Sequence, residues 1–215
     1  LLVAVGDGFD YREDAQNRAN HYGTIVRVSE TGKVPADNPY VDDPAALPEV
    51  WSYGHRNAQS IIYDAITDTV FQAEHGPRGG DELNIIEPAK NYGWPAITYG
   101  IDYSGLRISP YTSHEGMEQP LEYWDPSFGP SGMTVYRGDA FPDWDGDIFM
   151  TSLIFNHVIH VDMDGRVSGA QQILFDEIDE RLRDIRTGPD GALYILSEGT
   201  GAGDGRVWRV RATNR

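Results

Sequence analysis

Apolar positions along the chain fall into short runs of four to seven residues, rich in Val, Ile, Tyr, Phe and Trp and separated by polar segments dense in glycine and proline. Runs of that length between turn residues read as β-strands, because branched and aromatic side chains pack well on a pleated surface while glycine and proline interrupt it. The pattern predicts strands over Leu1–Val5, Thr24–Val28, Ile61–Asp64, Val70–Ala73, Leu83–Ile86, Met133–Tyr136, Ile148–Ser152, Val158–Val161, Arg183–Arg186, Leu193–Leu196 and Val207–Val210. Helical spacing is absent apart from a short candidate helix over Arg12–Ala19. The predicted fold class is all-β.

Several strands recur in one setting, a tight turn followed by an apolar strand and a polar or glycine-rich loop. The copies are Pro189-Asp190-Gly191-Ala192-Leu193-Tyr194, Trp144-Asp145-Gly146-Asp147-Ile148-Phe149 and Thr67-Asp68-Thr69-Val70-Phe71, with the opening strand as a fourth. Ile148 and Leu193 lie 45 positions apart, within the roughly 40 to 50 residues of a four-stranded propeller blade. The earlier spacings, 69 and 78, fit a blade plus an insertion. A β-sandwich is the alternative that the pattern leaves open. Gly93–Glu122, rich in Gly, Tyr, Pro and Ser and without periodicity, reads as a large loop of the kind that carries function. The chain opens on Leu1-Leu2-Val3-Ala4-Val5, already a strand pattern and without an initiating Met, so sequence upstream of it is expected.

Charge narrows the partners. The chain has 215 residues, with 34 Asp and Glu against 17 Lys and Arg, a formal net charge of −17. That field opposes general binding to nucleic acid or to an anionic membrane surface. Of the 17 basic residues only Lys33 and Lys90 are lysine, a bias that suits bidentate recognition of planar oxyanions. The absence of cysteine removes disulfides, thiolate metal sites and a thiol nucleophile. No apolar run reaches the length of a membrane span.

The densest chemistry lies in Trp51-Ser52-Tyr53-Gly54-His55-Arg56-Asn57-Ala58-Gln59 and, eighteen residues beyond Arg56, in Glu74-His75-Gly76-Pro77-Arg78-Gly79-Gly80-Asp81-Glu82. In the second segment proline has no N–H to pair and the glycines permit unusual dihedrals, so backbone carbonyls are left free. Beside Asp81 and Glu82 such a loop is a candidate hard-cation site, since Ca²⁺ takes six to eight oxygen ligands that include carbonyls. An acidic surface turn is the alternative reading.

These two segments, followed in order by Asn91-Tyr92-Gly93-Trp94-Pro95, Tyr99-Gly100-Ile101-Asp102-Tyr103-Ser104-Gly105, Pro130-Ser131-Gly132-Met133 and Arg181-Leu182-Arg183-Asp184-Ile185-Arg186-Thr187-Gly188-Pro189-Asp190-Gly191, resemble the soluble quinoprotein aldose sugar dehydrogenases of the glucose/sorbosone dehydrogenase family. The resemblance runs from residue 1 to 211. It implies a six-bladed β-propeller that carries pyrroloquinoline quinone (PQQ) and Ca²⁺, of which residues 1–215 form one incomplete propeller domain of about four blades. It further implies that the carbonyls of Gly76 and Pro77 ligate the cofactor Ca²⁺, that Arg56 and Asn57 line the quinone, and that Arg181, Arg183 and Ser127 hold its carboxylates. Glu82 and the Tyr92 carbonyl correspond to a second, structural Ca²⁺ site, and Gln16 to a residue near the substrate pocket. PQQ is a tricarboxylate, so a local arginine cluster in an acidic chain suits it, and alternate residues such as Arg181 and Arg183 on one strand point the same way.

Family members read Pro and Gly where this chain has Ala58 and Ser60. The family's catalytic His lies about one strand before the Gly-Asp matched here by Gly6-Asp7, so it is expected upstream of residue 1 and the catalytic base is unknown in this chain. His55 and His75 belong to the cofactor loops, and His21, His114, His157 and His160 read as surface or packing residues. The reaction implied is oxidation of the C1 hydroxyl of an aldose to a lactone, with an external electron acceptor, in the periplasm or outside the cell, by a monomer or homodimer. A non-catalytic Ca²⁺-binding propeller and a lactonase-type hydrolase are the alternatives. Asp143-Trp144-Asp145-Gly146-Asp147 lacks the closing Glu of an EF-hand, since the twelfth position is Ile154, and reads as a turn between strands. Asp162-Met163-Asp164-Gly165 reads as a hairpin turn.

Overall fold

The computed structural model describes residues 1–199, 201 and 203–212. Fourteen described strands form four antiparallel sheets, each a meander in which neighbours in sequence are neighbours in space. The first holds β1 (Leu2–Val5), β2 (Thr24–Arg27) and β3 (Val50–Tyr53). The second holds β4 (Ala58–Asp64), β5 (Thr69–Glu74), β6 (Asp81–Ile86) and β7 (Glu122–Trp124). The third is made of β8 (Pro130–Val135), β9 (Ile148–Ser152), β10 (Val158–Asp164) and β11 (Val167–Leu174). The fourth contains β12 (Leu182–Thr187), β13 (Leu193–Ser197) and β14 (Arg206–Val210). One meander of three or four strands is the repeat of a propeller blade, so the all-β expectation of about four blades holds.

The chain divides into two compact units, residues 1–61 with 70–127, and residues 62–69 with 128–215. In the first, Ile25, Ile86 and Tyr92 are buried together, with Leu2, Ala4, Trp51, Ile61 and Val70 packed against them. The second has a larger core of Tyr136, Phe149, Val158, Ile178, Leu182, Ile185, Leu193 and Ile195. Here Pro130-Ser131-Gly132-Met133 is a packing device. Ser131 Oγ donates to the Leu182 carbonyl at 2.8 Å, and a Cβ on Gly132 would come within 2.4 Å of Asp184 Cα. Only glycine lets β8 approach β12 so closely.

The structure corrects the sequence reading at several places. Arg12–Ala19 is a 3₁₀ turn limited to Arg12–Gln16, followed by extended chain at Asn17. β3, β7 and β11 had no predicted counterpart, and β11 is largely exposed, so hydrogen bonding to β10 and not an apolar pattern defines it. Asp162 and Asp164 still belong to β10, and the hairpin turns at Gly165, whose φ is 63°. Asp143–Asp147 joins β8 to β9 as expected, through a 3₁₀ turn at Pro142–Trp144.

Candidate cofactor and sugar site

β4 and β5 form a hairpin whose open end brings Gly54-His55-Arg56-Asn57 beside Glu74-His75-Gly76-Pro77. The His75 N–H donates to the Asn57 carbonyl at 3.1 Å, and the Arg56 N–H donates to Glu74 Oε2 at 2.8 Å. The Arg56 guanidinium is buried and donates to the carbonyls of His75 at 2.9 Å and Gly76 at 2.7 Å. It also sits over the rings of Trp94, at 5.5 Å, and Tyr103, at 5.9 Å. The carbonyl expected to ligate a cation therefore already faces one.

The Gly76–Gly80 loop is dense in oxygen. A Cβ on Gly76 would lie 2.1 Å from the Gly79 carbonyl oxygen and 2.4 Å from that of Gly80. Its conformation is pinned from outside, because the Gly79 N–H donates to Ser127 Oγ at 3.0 Å, the Gly80 N–H to the Trp124 carbonyl at 2.8 Å and the Gly76 N–H to Asp81 Oδ1 at 2.8 Å. Three carboxylates stand behind it. Glu74 is buried, which by itself raises its pKa, but His55, the Arg56 N–H and Gln72 hold it below the ordinary value. Burial, with repulsion from Glu74 and Asp81, pushes Glu82 up to about 8. Crowded acidic groups of which one is kept from ionising by burial and its neighbours' charge, beside an oxygen-rich loop, fit a hard divalent cation that would offset that repulsion.

The other predicted residues fall as follows. Ser127 holds the loop through Gly79. Tyr92 is buried against His55, ring centroids 4.5 Å apart, and its hydroxyl donates to the Ile85 carbonyl. Gln16 exchanges hydrogen bonds with Asn91 at 3.0 and 2.8 Å and donates to the Trp94 carbonyl at 2.8 Å, so it fixes Trp94 with both ends of its amide used. In the second unit Arg181 precedes β12 and Arg183 stands where the register with β13 shifts between Leu182 and Asp184. The regular alternation assumed for them is thus broken by a bulge. Both nonetheless reach one carboxylate oxygen, Glu198 Oε2, at 3.4 and 2.7 Å, and both are exposed. Two guanidinia around a single oxyanion fit a ligand carboxylate.

Beside the Arg56 guanidinium lies a cavity of about 290 Å³ in the first unit. Asp7, Phe9, Asp10, Trp94, Asp102 and Tyr103 are among its walls. Asp7, Trp94, Asp102 and Tyr103 stand within the sequence motifs, but a shared role is not legible there, because their meeting depends on chain folding over some ninety positions. Arg12, for example, pairs with Asp102 at 3.0 Å. Among the described residues no histidine lines this cavity.

Residues 1–209 match the family described as Glucose / Sorbosone dehydrogenase. The chain belongs to that family. It is 42% identical over 202 residues to the aldose sugar dehydrogenase YliI of Escherichia coli, an alignment that covers 92% of this chain and 54% of the relative. A crystal structure of a glucose dehydrogenase superposes with a TM-score of 0.93 at 42% identity, covering 99% of this chain and 61% of the other. The PQQ-bound form of aldose sugar dehydrogenase from Streptomyces coelicolor superposes with a TM-score of 0.75 at 25% identity, over 98% of this chain and 57% of that one. The chain thus spans about half the length of the curated relatives it matches. Among the described residues no helix is long and apolar enough to cross a membrane.

Proposed function

We propose that the chain forms the cofactor-gripping part of a PQQ- and Ca²⁺-dependent dehydrogenase that oxidises the C1 hydroxyl of an aldose to a lactone. The observation that carries this reading is the Gly76–Gly80 loop, whose carbonyl oxygens crowd together in front of Glu74, Asp81 and Glu82 while a buried guanidinium sits on the Gly76 carbonyl. Family membership, the name of the E. coli relative and the PQQ-bound structural neighbour support it.

In this reading the Gly76 and Pro77 carbonyls hold the cofactor Ca²⁺, and Glu82 with the Tyr92 carbonyl holds a second one. Arg181, Arg183 and Ser127 take the cofactor's carboxylates, Arg56 and Asn57 line its ring, and Gln16 keeps Trp94 in the wall of the sugar pocket. When bound, PQQ supplies a two-electron acceptor and Ca²⁺ a Lewis acid beside it. The chain's own work is binding and orientation: Arg56 fixes the His75 and Gly76 carbonyls and covers the faces of Trp94 and Tyr103. We assign no general base in this chain. An aldose and an external electron acceptor are the partners, and the periplasm or cell exterior is the location this reading requires.

The test is spectroscopic. PQQ and Ca²⁺ added to the chain give a bound-quinone spectrum, which Arg181→Ala and Arg183→Ala weaken at least tenfold in apparent affinity. No spectral change in the wild type, or the same change in all three proteins, overturns the assignment. Turnover is then read with an aldose and an artificial acceptor.

A further inference from the structure

The cavity wall carries a costly arrangement. Phe9 holds a φ of +64°, a left-handed conformation that is an outlier for a bulky side chain, and the residue is 66% exposed. Strain of this kind persists where surrounding contacts impose it and clusters at ligand sites. The contacts are visible. Asp7, itself buried, accepts the Phe9 N–H on Oδ1 at 2.9 Å and the Trp94 indole N–H on Oδ2 at 2.8 Å. Tyr103, 59% exposed, lies stacked with Phe9 at 6.1 Å and 22°. The Arg12–Asp102 ion pair ties together the two segments that carry these rings.

The charges of the cavity are mostly engaged. Asp7 accepts two N–H groups, Asp102 pairs with Arg12, and Arg56 is held on backbone carbonyls. The Asp10 carboxylate lines the cavity with no side-chain hydrogen bond or ion pair among the described residues. Arg12 offsets Asp102 and Arg56 offsets Asp7 among the charges of the lining, so the cavity presents to a ligand an aromatic wall and a net negative charge carried by the unpaired Asp10 carboxylate.

We propose that Phe9, Tyr103 and Asp10 form a pyranose subsite that ranks sugars by charge, binding a 2-amino aldose more tightly than the neutral aldose and the neutral aldose more tightly than a uronate. The proposal rests on the aldose reading in taking a sugar as the ligand. The rings give an apolar face for the sugar's C–H groups. An ammonium gains from Asp10 and from the ring faces together, whereas a carboxylate meets repulsion from Asp10. Because Asp10 is solvent-exposed, the expected preference is modest, about two- to fivefold for glucosamine over glucose.

Titration calorimetry of the chain at pH 6.5 with glucosamine, glucose and glucuronate tests it without cofactor. The expected order is the one stated; Asp10→Asn brings glucosamine and glucose together, and Phe9→Ala weakens all three. Glucuronate binding as tightly as glucosamine, an order unchanged in Asp10→Asn, or no sugar bound at all overturns the proposal. The quinone spectrum described above is read on the same sample. A bound quinone with no sugar ranking sinks this inference and leaves the dehydrogenase reading standing, and the converse result sinks only that reading.

Discussion

Asp64 offers the sharpest quantitative test of how the second unit is held together. The tip of the β4–β5 hairpin, residues 62–69, belongs to the same unit as residues 128–215, and Asp64 is its anchor. Its buried carboxylate receives Arg137 Nε at 3.2 Å and Nη2 at 2.8 Å, Thr67 Oγ1 at 2.6 Å and the Ile66 N–H at 3.3 Å. Burial raises its pKa, but Arg137, Thr67 and the Ile66 N–H outweigh it and bring the value from 3.8 to about 2. At about 1.4 kcal/mol per pH unit, that difference is worth about 2.4 kcal/mol at neutral pH. The lowered value means that this contribution is complete above about pH 4 and is lost as pH falls through about 2. Asp64→Asn should therefore lose about 2 to 3 kcal/mol at pH 7. Arg137 keeps Asp145 at 2.8 Å, so its charge is not stranded and the loss stays below that of breaking a fully buried pair. Urea unfolding of both proteins at pH 7 and pH 3 measures it. The gap should shrink to about 1.3 kcal/mol at pH 3. A gap independent of pH, or one under about 0.5 kcal/mol at pH 7, refutes the reasoning.

Three further outcomes are expected. Gly76→Ala forces a Cβ to 2.1 Å from the Gly79 carbonyl oxygen, so it should cost about 1 to 3 kcal/mol and abolish any rise in melting temperature on adding Ca²⁺; a variant that keeps the wild-type Ca²⁺ response contradicts the loop's role. Tyr136→Phe leaves the Gly191 carbonyl without its 2.6 Å donor and the Phe141 N–H without its 3.0 Å acceptor, a loss of about 1 to 3 kcal/mol in urea unfolding, and an unchanged midpoint argues that water replaces both. Leu193→Ala empties part of the second unit's core, where Leu193 is fully buried, and should cost about 2 to 5 kcal/mol with no change in quinone affinity per folded molecule.

Much of the fold was legible because short apolar runs bounded by turn residues report buried strands directly. Ile148–Ser152 is a strand from end to end as read, and every residue of it is buried. β11 was not legible, since six of its eight residues are exposed and partnership with β10 alone makes it a strand. The candidate site divides in the same way. Gly76, Pro77, Arg56 and Ser127 could be named from motif order, but that Ser127 Oγ receives the Gly79 N–H depends on a contact across 48 positions.

By itself, then, the sequence determined the all-β class, the blade-like repeat and the chemical types gathered at the site, because these depend on local periodicity and on what each residue type is able to do. Only the tertiary structure decided which charges are spent and which are free. Arg56 lies on backbone carbonyls, Arg181 and Arg183 share Glu198, and Asp10 stands unpaired among the described residues beside two exposed rings. Those outcomes turn on distances between groups far apart in the chain, and electrostatic and hydrogen-bond energies depend on distance and burial, which no residue pattern encodes locally.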